Sequence, residues 1–350
     1  MADFTVAICT YNGEALLPNL LDKLRLQSQT DHFTWDIVVI DNNSTDHTAD
    51  VIRRYQSDWP ATIPLRYYFE PRQGLAFARR HAIRVTPSPL IGFLDDDTLP
   101  ATDWVSSAYE FGQQHPKAGA YGGQNHGDYE IAPPANFERI ACCLAIIERG
   151  HQAFQYHPQR GVLPAGAGLV VRTQVWRDFV SNQPVLAGVC AKSLSTKGED
   201  VETLSYIRHA GWQIWYNPAM HLYHHIPKER LDAGYLLNLF RQVGFSRYPL
   251  RMLHLSGWQR TVMLFAYVAN DFRKFAVHWL KHHKTLKYDQ VAACEMELLM
   301  SSLISPLYHW KQQFGAYRLL ALMPWKVNWG SDGLASIPMS SVGAGGDRSS

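Results

Sequence analysis

The chain is poor in the features that would mark a secreted or membrane-spanning protein. Its five cysteines (Cys9, Cys142, Cys143, Cys190 and Cys294) form no CxxC pair and no even framework. That argues against a disulfide scaffold or a zinc ribbon. The odd count, with no signal-peptide pattern at the start, leads to the expectation of a reducing cytoplasmic setting. No apolar run approaches the roughly 20 residues needed to cross a bilayer. The nearest candidate, Val262 to Leu280, is broken by Asn270, Asp271, Arg273 and Lys274. Net charge is only +2 over 350 residues, and the basic stretch carries no recognisable nucleic-acid motif. No nucleic-acid partner is expected. Internal repeats are also lacking.

A hydrophobic content of 46% is enough to build a sizeable core. Charge is unevenly spread. Residues 1–225 hold 18 Lys/Arg against 23 Asp/Glu, whereas residues 226–330 hold 14 against 6. The second stretch also carries Trp258, Trp279, Trp310, Trp325 and Trp329. Basic and aromatic residues on helical segments point to a membrane surface or an acidic ligand. The bland alternative is a helical cover for the rest of the protein.

The first hundred residues alternate strand and helix, with strands at Phe4–Cys9, Asp36–Ile40, Leu65–Phe69 and Leu90–Leu94. Helices are expected from about Glu14 to Leu26, from a Ser44 or Thr45 cap to Tyr55, and over Leu75–Val85. Such βα units imply an α/β fold with a mostly parallel sheet and a ligand crevice at the strand C-termini. Further on, Leu169–Val171 and Gln213–Tyr216 read as strands and Asp200–His209 as a helix. Helices are expected near 232–245, 258–280 and 289–312, with a disordered Gly/Ser-rich tail from Gly330.

Asp95-Asp96-Asp97 arrives directly after the apolar run at 90–94. Three adjacent carboxylates repel one another and need a cation or hydrogen-bond donors. A divalent metal shared with substrate phosphates meets that need; an acidic turn, with Asp103 or Thr102 capping the helix near Trp104, is the alternative. The other strand ends carry Thr10-Tyr11-Asn12-Gly13 and Asp41-Asn42-Asn43-Ser44-Thr45-Asp46. Between them, Gly74 at a helix start offers backbone amides to a phosphate, and Arg79 and Arg80 add fork-like donors. Gly198-Glu199-Asp200 opens a helix, where a carboxylate either complements the dipole or faces the crevice as a general base. His221, His224 and His225 superficially resemble zinc ligands but lack HExxH or cysteine company. His278, His282 and His283 read as an exposed basic face.

Taken in order, T-Y-N-G at 10–13, V-I-D-N-N-S-T-D at 39–46, G-L-A-x-A-R at 74–79, F-L-D-D-D at 93–97, G-E-D at 198–200, and His224 with Arg230 resemble the inverting family 2 glycosyltransferases. H-H-I-P-K-E-R at 224–230 also resembles the cyanobacterial hormogonium polysaccharide type. The resemblance implies a GT-A fold over 1–230, with a nucleotide-binding half at about 1–100 and an acceptor half at about 101–230. A helical region at 231–329 and a tail at 330–350 would follow.

The resemblance also implies roles. Asp200 would be the catalytic base. Thr10, Tyr11, Asn12, Asp41, Asn43, Gly74, Arg79, Asp95, Asp96, Glu199 and Arg230 would bind the nucleotide-sugar, with Asp41 on the base. Asp97, Asp95 and His224 would hold Mg²⁺ or Mn²⁺. Partners would be a nucleotide-diphosphate sugar, most simply a UDP-sugar, and a glycan or lipid-linked acceptor; the basic, aromatic C-terminal helices, not the resemblance, add the expectation of docking at the cytoplasmic membrane face. One departure is Ala78-Arg79-Arg80 where relatives often continue A-R-N. The competing readings are a nucleotidyltransferase acting on sugar phosphates and a non-catalytic nucleotide-sugar or glycan-binding module.

Overall fold

The computed structural model describes residues 1–157, 162–186, 188 and 197–314. Cys190, Trp325, Trp329 and the tail from Gly330 lie outside the described residues. Met1–His309 form a first compact unit, and the described residues from Trp310 onward lie outside it.

In the first unit, β1 (Phe4–Thr10), β2 (Trp35–Asp41), β3 (Leu65–Phe69) and β4 (Leu90–Asp95) lie parallel in the order β3-β2-β1-β4. Between them run α1 (Leu17–Arg25), α2 (Thr48–Ser57) and α3 (Leu75–Val85). β1 and β2 are buried along their whole length, which is why they read as near-continuous apolar runs. Alternation sends Phe4, Val6 and Ile8 to one core layer with Leu17, Leu20, Leu24 and Trp104. Ala7 and Cys9 go to the other, with Ala78, Ala82, Trp176 and Leu204. Cys9 is thus the small buried hydrophobe expected, and burial pushes its thiol up to about 12.

Beyond β4 the sheet becomes mixed. β8 (Val170–Arg172) runs antiparallel to β4 and to β6 (Ala118–Tyr129), and β6 pairs in parallel with β9 (Gln213–Ile226). β5 (Thr98–Pro100) and β7 (Phe154–Gln155) pair antiparallel with β9. β9 is far longer than the Gln213–Tyr216 segment expected, because irregular register across Gly122 to Gln124 lets pairing resume past Pro218. α4 (Trp104–Gln114), α5 (Thr173–Phe179) and α6 (Glu199–His209) complete the layers.

Two helix starts differ from expectation. α1 begins at Leu17, with Pro18 in its first turn, rather than at Glu14. For α2, Asp46 rather than Ser44 or Thr45 supplies the acceptor: its Oδ1 takes the Thr48 N–H at 3.0 Å. Asp103 does sit at the N-cap of α4 but makes no side-chain cap bond. The Val105 amide is taken by Gln27 Oε1 at 2.9 Å.

The last three helices are α7 (Ala233–Met252), α8 (Trp258–His282) and α9 (Gln290–Phe314). Leu236, Leu239 and Phe240 of α7 join Val291 and Cys294 of α9 in a third core cluster with Phe137, Ile226 and Leu231. Among the described residues, no helix is long and apolar enough to cross a membrane.

Candidate active site

The crevice lies where β1, β2 and β4 end side by side. Register pairs Thr10 with Asp41 and Cys9 with Asp95. Thr10 Oγ1 donates to Asp96 Oδ2 at 2.6 Å, tying the first strand end to the acidic turn. A methyl at Gly13 would fall 2.1 Å from Thr10 Oγ1, so only glycine admits this approach.

The neighbouring turns are locked to each other. Asn12 (φ 54°) and Asn43 (φ 67°) take left-handed conformations that asparagine tolerates. The Asn12 N–H donates to Ser44 Oγ at 2.9 Å, and its Oδ1 accepts from the Thr45 N–H at 2.9 Å. Tyr11 is half-buried beside them. Asp41 is buried, its Oδ1 accepting from the Ser44 N–H at 2.8 Å and its Oδ2 from the Tyr67 hydroxyl at 2.8 Å. Burial and that bond push the Tyr67 hydroxyl up to about 12.

One expectation is corrected here. The Gly74 amide is no free phosphate donor, because it is spent on Asn42 Oδ1 at 2.7 Å. Asn42 also donates to the Arg72 carbonyl at 2.7 Å, so this buried side chain fixes the path from β3 into α3.

Arg79, 2% exposed on α3, is the hub beneath the acidic turn rather than a surface donor. Its Nη2 reaches Asp95 Oδ1 at 3.4 Å and its Nη1 reaches Glu199 Oε1 at 3.2 Å. Burial alone would lower the pKa of its guanidinium, but Glu199, Asp95 and Asp200 raise it. A methyl on Gly166 would stand 2.7 and 2.8 Å from the Arg79 nitrogens and 3.0 Å from Asp200 Oδ2. Asp200 therefore sits beside Arg79 across that glycine. Glu199 is buried, whereas Asp200 is half-buried, with Oδ1 accepting its neighbour Val201 N–H at 2.8 Å.

On the other flank, β5 pairs Thr98 with His224 of β9 and so sets His224 beside Asp97. Asp97 Oδ2 lies 3.2 Å from His224 Nε2 and 2.9 Å from Arg230 Nη1. Arg230 Nη1 is also 3.1 Å from His224 Nε2. His221 and His225 go elsewhere: His221 to His126 at 2.9 Å, His225 to Asp128 and Glu130. Strand alternation therefore breaks up the apparent histidine trio.

The three carboxylates differ electrostatically. Burial would raise Asp97, but His224 and Arg230 outweigh it and hold the group at about 2. Burial and the Asp97 charge push Asp96 up to about 7. Burial raises Asp95 too, against Arg79. Burial and Arg230 lower the ammonium of Lys197.

Such crowded oxygen donors suit a hard divalent cation. Among the described residues no three metal-binding side chains are gathered into a cage, so most of such an ion's shell would have to come from substrate oxygens and water. His224 Nδ1, buried and without a partner, leaves that imidazole only partly satisfied.

Sequence reasoning missed Tyr67 and Gly166, and quoted Asn42 only as part of the polar turn after the second strand. Gly166 had a signal, since the Pro164-Ala165-Gly166-Ala167-Gly168 run just before a strand marks close backbone approach.

Residues 5–168 match the family model described as Glycosyl transferase family 2. The chain is 35% identical over 105 residues to the validoxylamine A glucosyltransferase of Streptomyces hygroscopicus subsp. limoneus, covering 29% of this chain and 22% of that relative. It is 45% identical over 62 residues to the succinoglycan biosynthesis protein ExoU of Rhizobium meliloti (strain 1021), covering 18% of each. The aligned part thus spans less than a quarter of either relative. Among solved structures, the mannosyltransferase PcManGT of Pyrobaculum calidifontis superposes with a TM-score of 0.55 at 18% identity, covering 88% of both chains. That likeness concerns the fold. The match to the Glycosyl transferase family 2 model thus spans just under half of the chain, and the described residues take a GT-A-type fold.

Proposed function

We propose that the protein is an inverting, metal-dependent glycosyltransferase that moves a sugar from a nucleotide-diphosphate donor to a hydroxyl of a glycan or lipid-linked acceptor. The observation that supports this reading is that Asp200 and Asp95 both lie close to one buried arginine, Arg79. A base and a leaving-group site must flank one reacting carbon for direct displacement, and these carboxylates come from distant parts of the chain.

The acceptor oxygen attacks the anomeric carbon as Asp200 takes its proton, and the sugar–phosphate bond breaks on the opposite face. Arg230 and His224 meet the charge developing on the departing nucleoside diphosphate. A Mg²⁺ or Mn²⁺ ion held by Asp97 and Asp95, with His224 beside it, would supply further charge neutralisation. Thr10, Tyr11, Asn12, Asp41 and Asn43 would line the nucleotide side, with Asp41 reading a uracil ring. Residues 1–100 would then act as the donor half and 101–230 as the acceptor half.

The family match and the relatives' names support sugar transfer in polysaccharide assembly. The solved mannosyltransferase is described as a complex with GDP-Man and Mn²⁺, which supports a nucleotide-sugar and a divalent ion here. H-H-I-P-K-E-R at 224–230 adds the hormogonium-type likeness, and with it a polysaccharide acceptor.

The test is a panel of nucleotide-sugars scored by thermal stabilisation with and without Mn²⁺, followed by analysis of the released nucleotide. A nucleoside diphosphate product with metal-dependent stabilisation is expected. Release of pyrophosphate would move the protein to the nucleotidyltransferases, and binding without turnover to the non-catalytic modules.

A further inference from the structure

We propose that α8 is a membrane-docking helix that lies flat on a bilayer surface bearing anionic phospholipids. A helix packed on a water-soluble body normally turns its apolar stripe inward. α8 does the reverse. Its buried residue is Asp271, 1% exposed, whereas Trp258 is 75%, Phe265 70%, Phe272 61% and Leu280 66% exposed.

Trp258, Val262, Phe265, Phe272 and Trp279 recur at helical spacing and so share one face. The opposite face is fastened to the body. Arg251 of α7 holds Asp271 with both guanidinium nitrogens, one at 2.9 Å, and stacks 4.8 Å over Tyr267. His278, expected on an exposed basic face, instead bonds the Ala292 carbonyl of α9 at 3.0 Å. The helix is therefore anchored through polar contacts with its apolar side left outward. α7 and α9 differ in that Leu236, Leu239 and Phe240 of α7 and Val291 and Cys294 of α9 fill the third core cluster, although Leu307 and Trp310 of α9 are exposed.

Charge selects the occupant. Between Trp258 and Tyr288 stand Arg260, Arg273, Lys274, Lys281, Lys284 and Lys287, with Asp271 the sole acid, and that acid is spent on Arg251. A second copy of this chain would bring the same positive charge against it. The chain's own residues 315–350 hold three Lys/Arg and two Asp, so they offer no excess of negative charge. An anionic bilayer answers both halves of the helix: tryptophans settle at the interface, and flanking cations meet the headgroups.

The experiment is sedimentation of the full chain with vesicles of phosphatidylcholine alone and of phosphatidylcholine with phosphatidylglycerol. Binding to the mixed vesicles only is expected, weakening with added salt. Phe265→Ser with Phe272→Ser should lower binding at least tenfold while the melting temperature holds, since both side chains are exposed. Arg273→Gln and Lys281→Gln should each cost about fivefold. Equal binding to both vesicle types, or binding to neither, would overturn the proposal. So would light scattering showing a dimer that Phe265→Ser with Phe272→Ser dissolves.

Discussion

Arg230 donates to Asp97 at 2.9 Å, so the last carboxylate of the acidic turn is held by a guanidinium. On the function proposed above, a donor diphosphate would give Arg230 a second anionic partner and would leave Asp97 free to help hold a divalent ion. Arg230→Ala should weaken binding of uridine diphosphate with Mn²⁺ by about 10- to 100-fold, the worth of a charge-assisted hydrogen bond. Titration calorimetry measures this directly.

Asp200→Asn keeps the shape of the side chain and removes its basicity. Turnover should fall by about 10²- to 10⁴-fold, with donor affinity little changed. Steady-state kinetics showing turnover close to the parent protein would take the base role away from Asp200.

Gly166→Ala tests the spacing between Asp200 and Arg79. The added methyl would press on both Arg79 nitrogens and on Asp200 Oδ2. Turnover should drop at least tenfold, because small misplacements of reacting groups are costly. Circular dichroism should show an unaltered fold.

Asp96 and Asp97 predict opposite responses to pH. The folded state raises Asp96 from 3.8 to about 7, so it favours the protonated form. That contribution to stability is complete below about pH 4 and is lost as pH rises through 7. Asp97, lowered to about 2, stabilises the fold above about pH 4 and loses this as pH falls through 2. Asp96→Asn, measured in chelator, should therefore raise the melting temperature by about 2–4 °C at pH near 8 and have little effect near pH 4. Added Mn²⁺ should shrink the difference.

Arg79 and Glu199 form a buried pair, so removing one partner strands the other. Arg79→Gln should cost about 3–5 kcal/mol in denaturant unfolding. Adding Glu199→Gln should restore part of that loss, since the stranded carboxylate is gone. A double variant no more stable than Arg79→Gln would show that Asp95, not Glu199, dominates the pairing.

The strands of the parallel half were legible in the chain to within one residue, whereas α1 starts three residues later than expected. Leu65–Phe69 and Leu75–Val85 were expected and are observed with those bounds, and β4 differs only by including Asp95. Buried parallel strands announce themselves as unbroken apolar runs between turn residues. β6 did not, because A-G-A-Y-G-G-Q-N-H-G-D-Y is rich in glycine and polar groups, and its partners on both sides decide its conformation. The acidic turn and His224 were visible as motifs. The burial of Arg79 was not, since an arginine pair on a helix ordinarily faces water. Whether the apolar residues of α8 point in or out was also beyond reach, because periodicity defines a face but not what covers it.

The pairing of Thr98 with His224 has an engineering consequence. Shifting β9 by one residue would swing His224 to the far side of the sheet. The segment matching the family model stops at residue 168, ahead of Asp200, His224 and Arg230. Anyone building hybrid enzymes from this scaffold should therefore place the splice beyond Leu231 and keep the phase of the final strand, or the transplanted half will arrive without its counterpart.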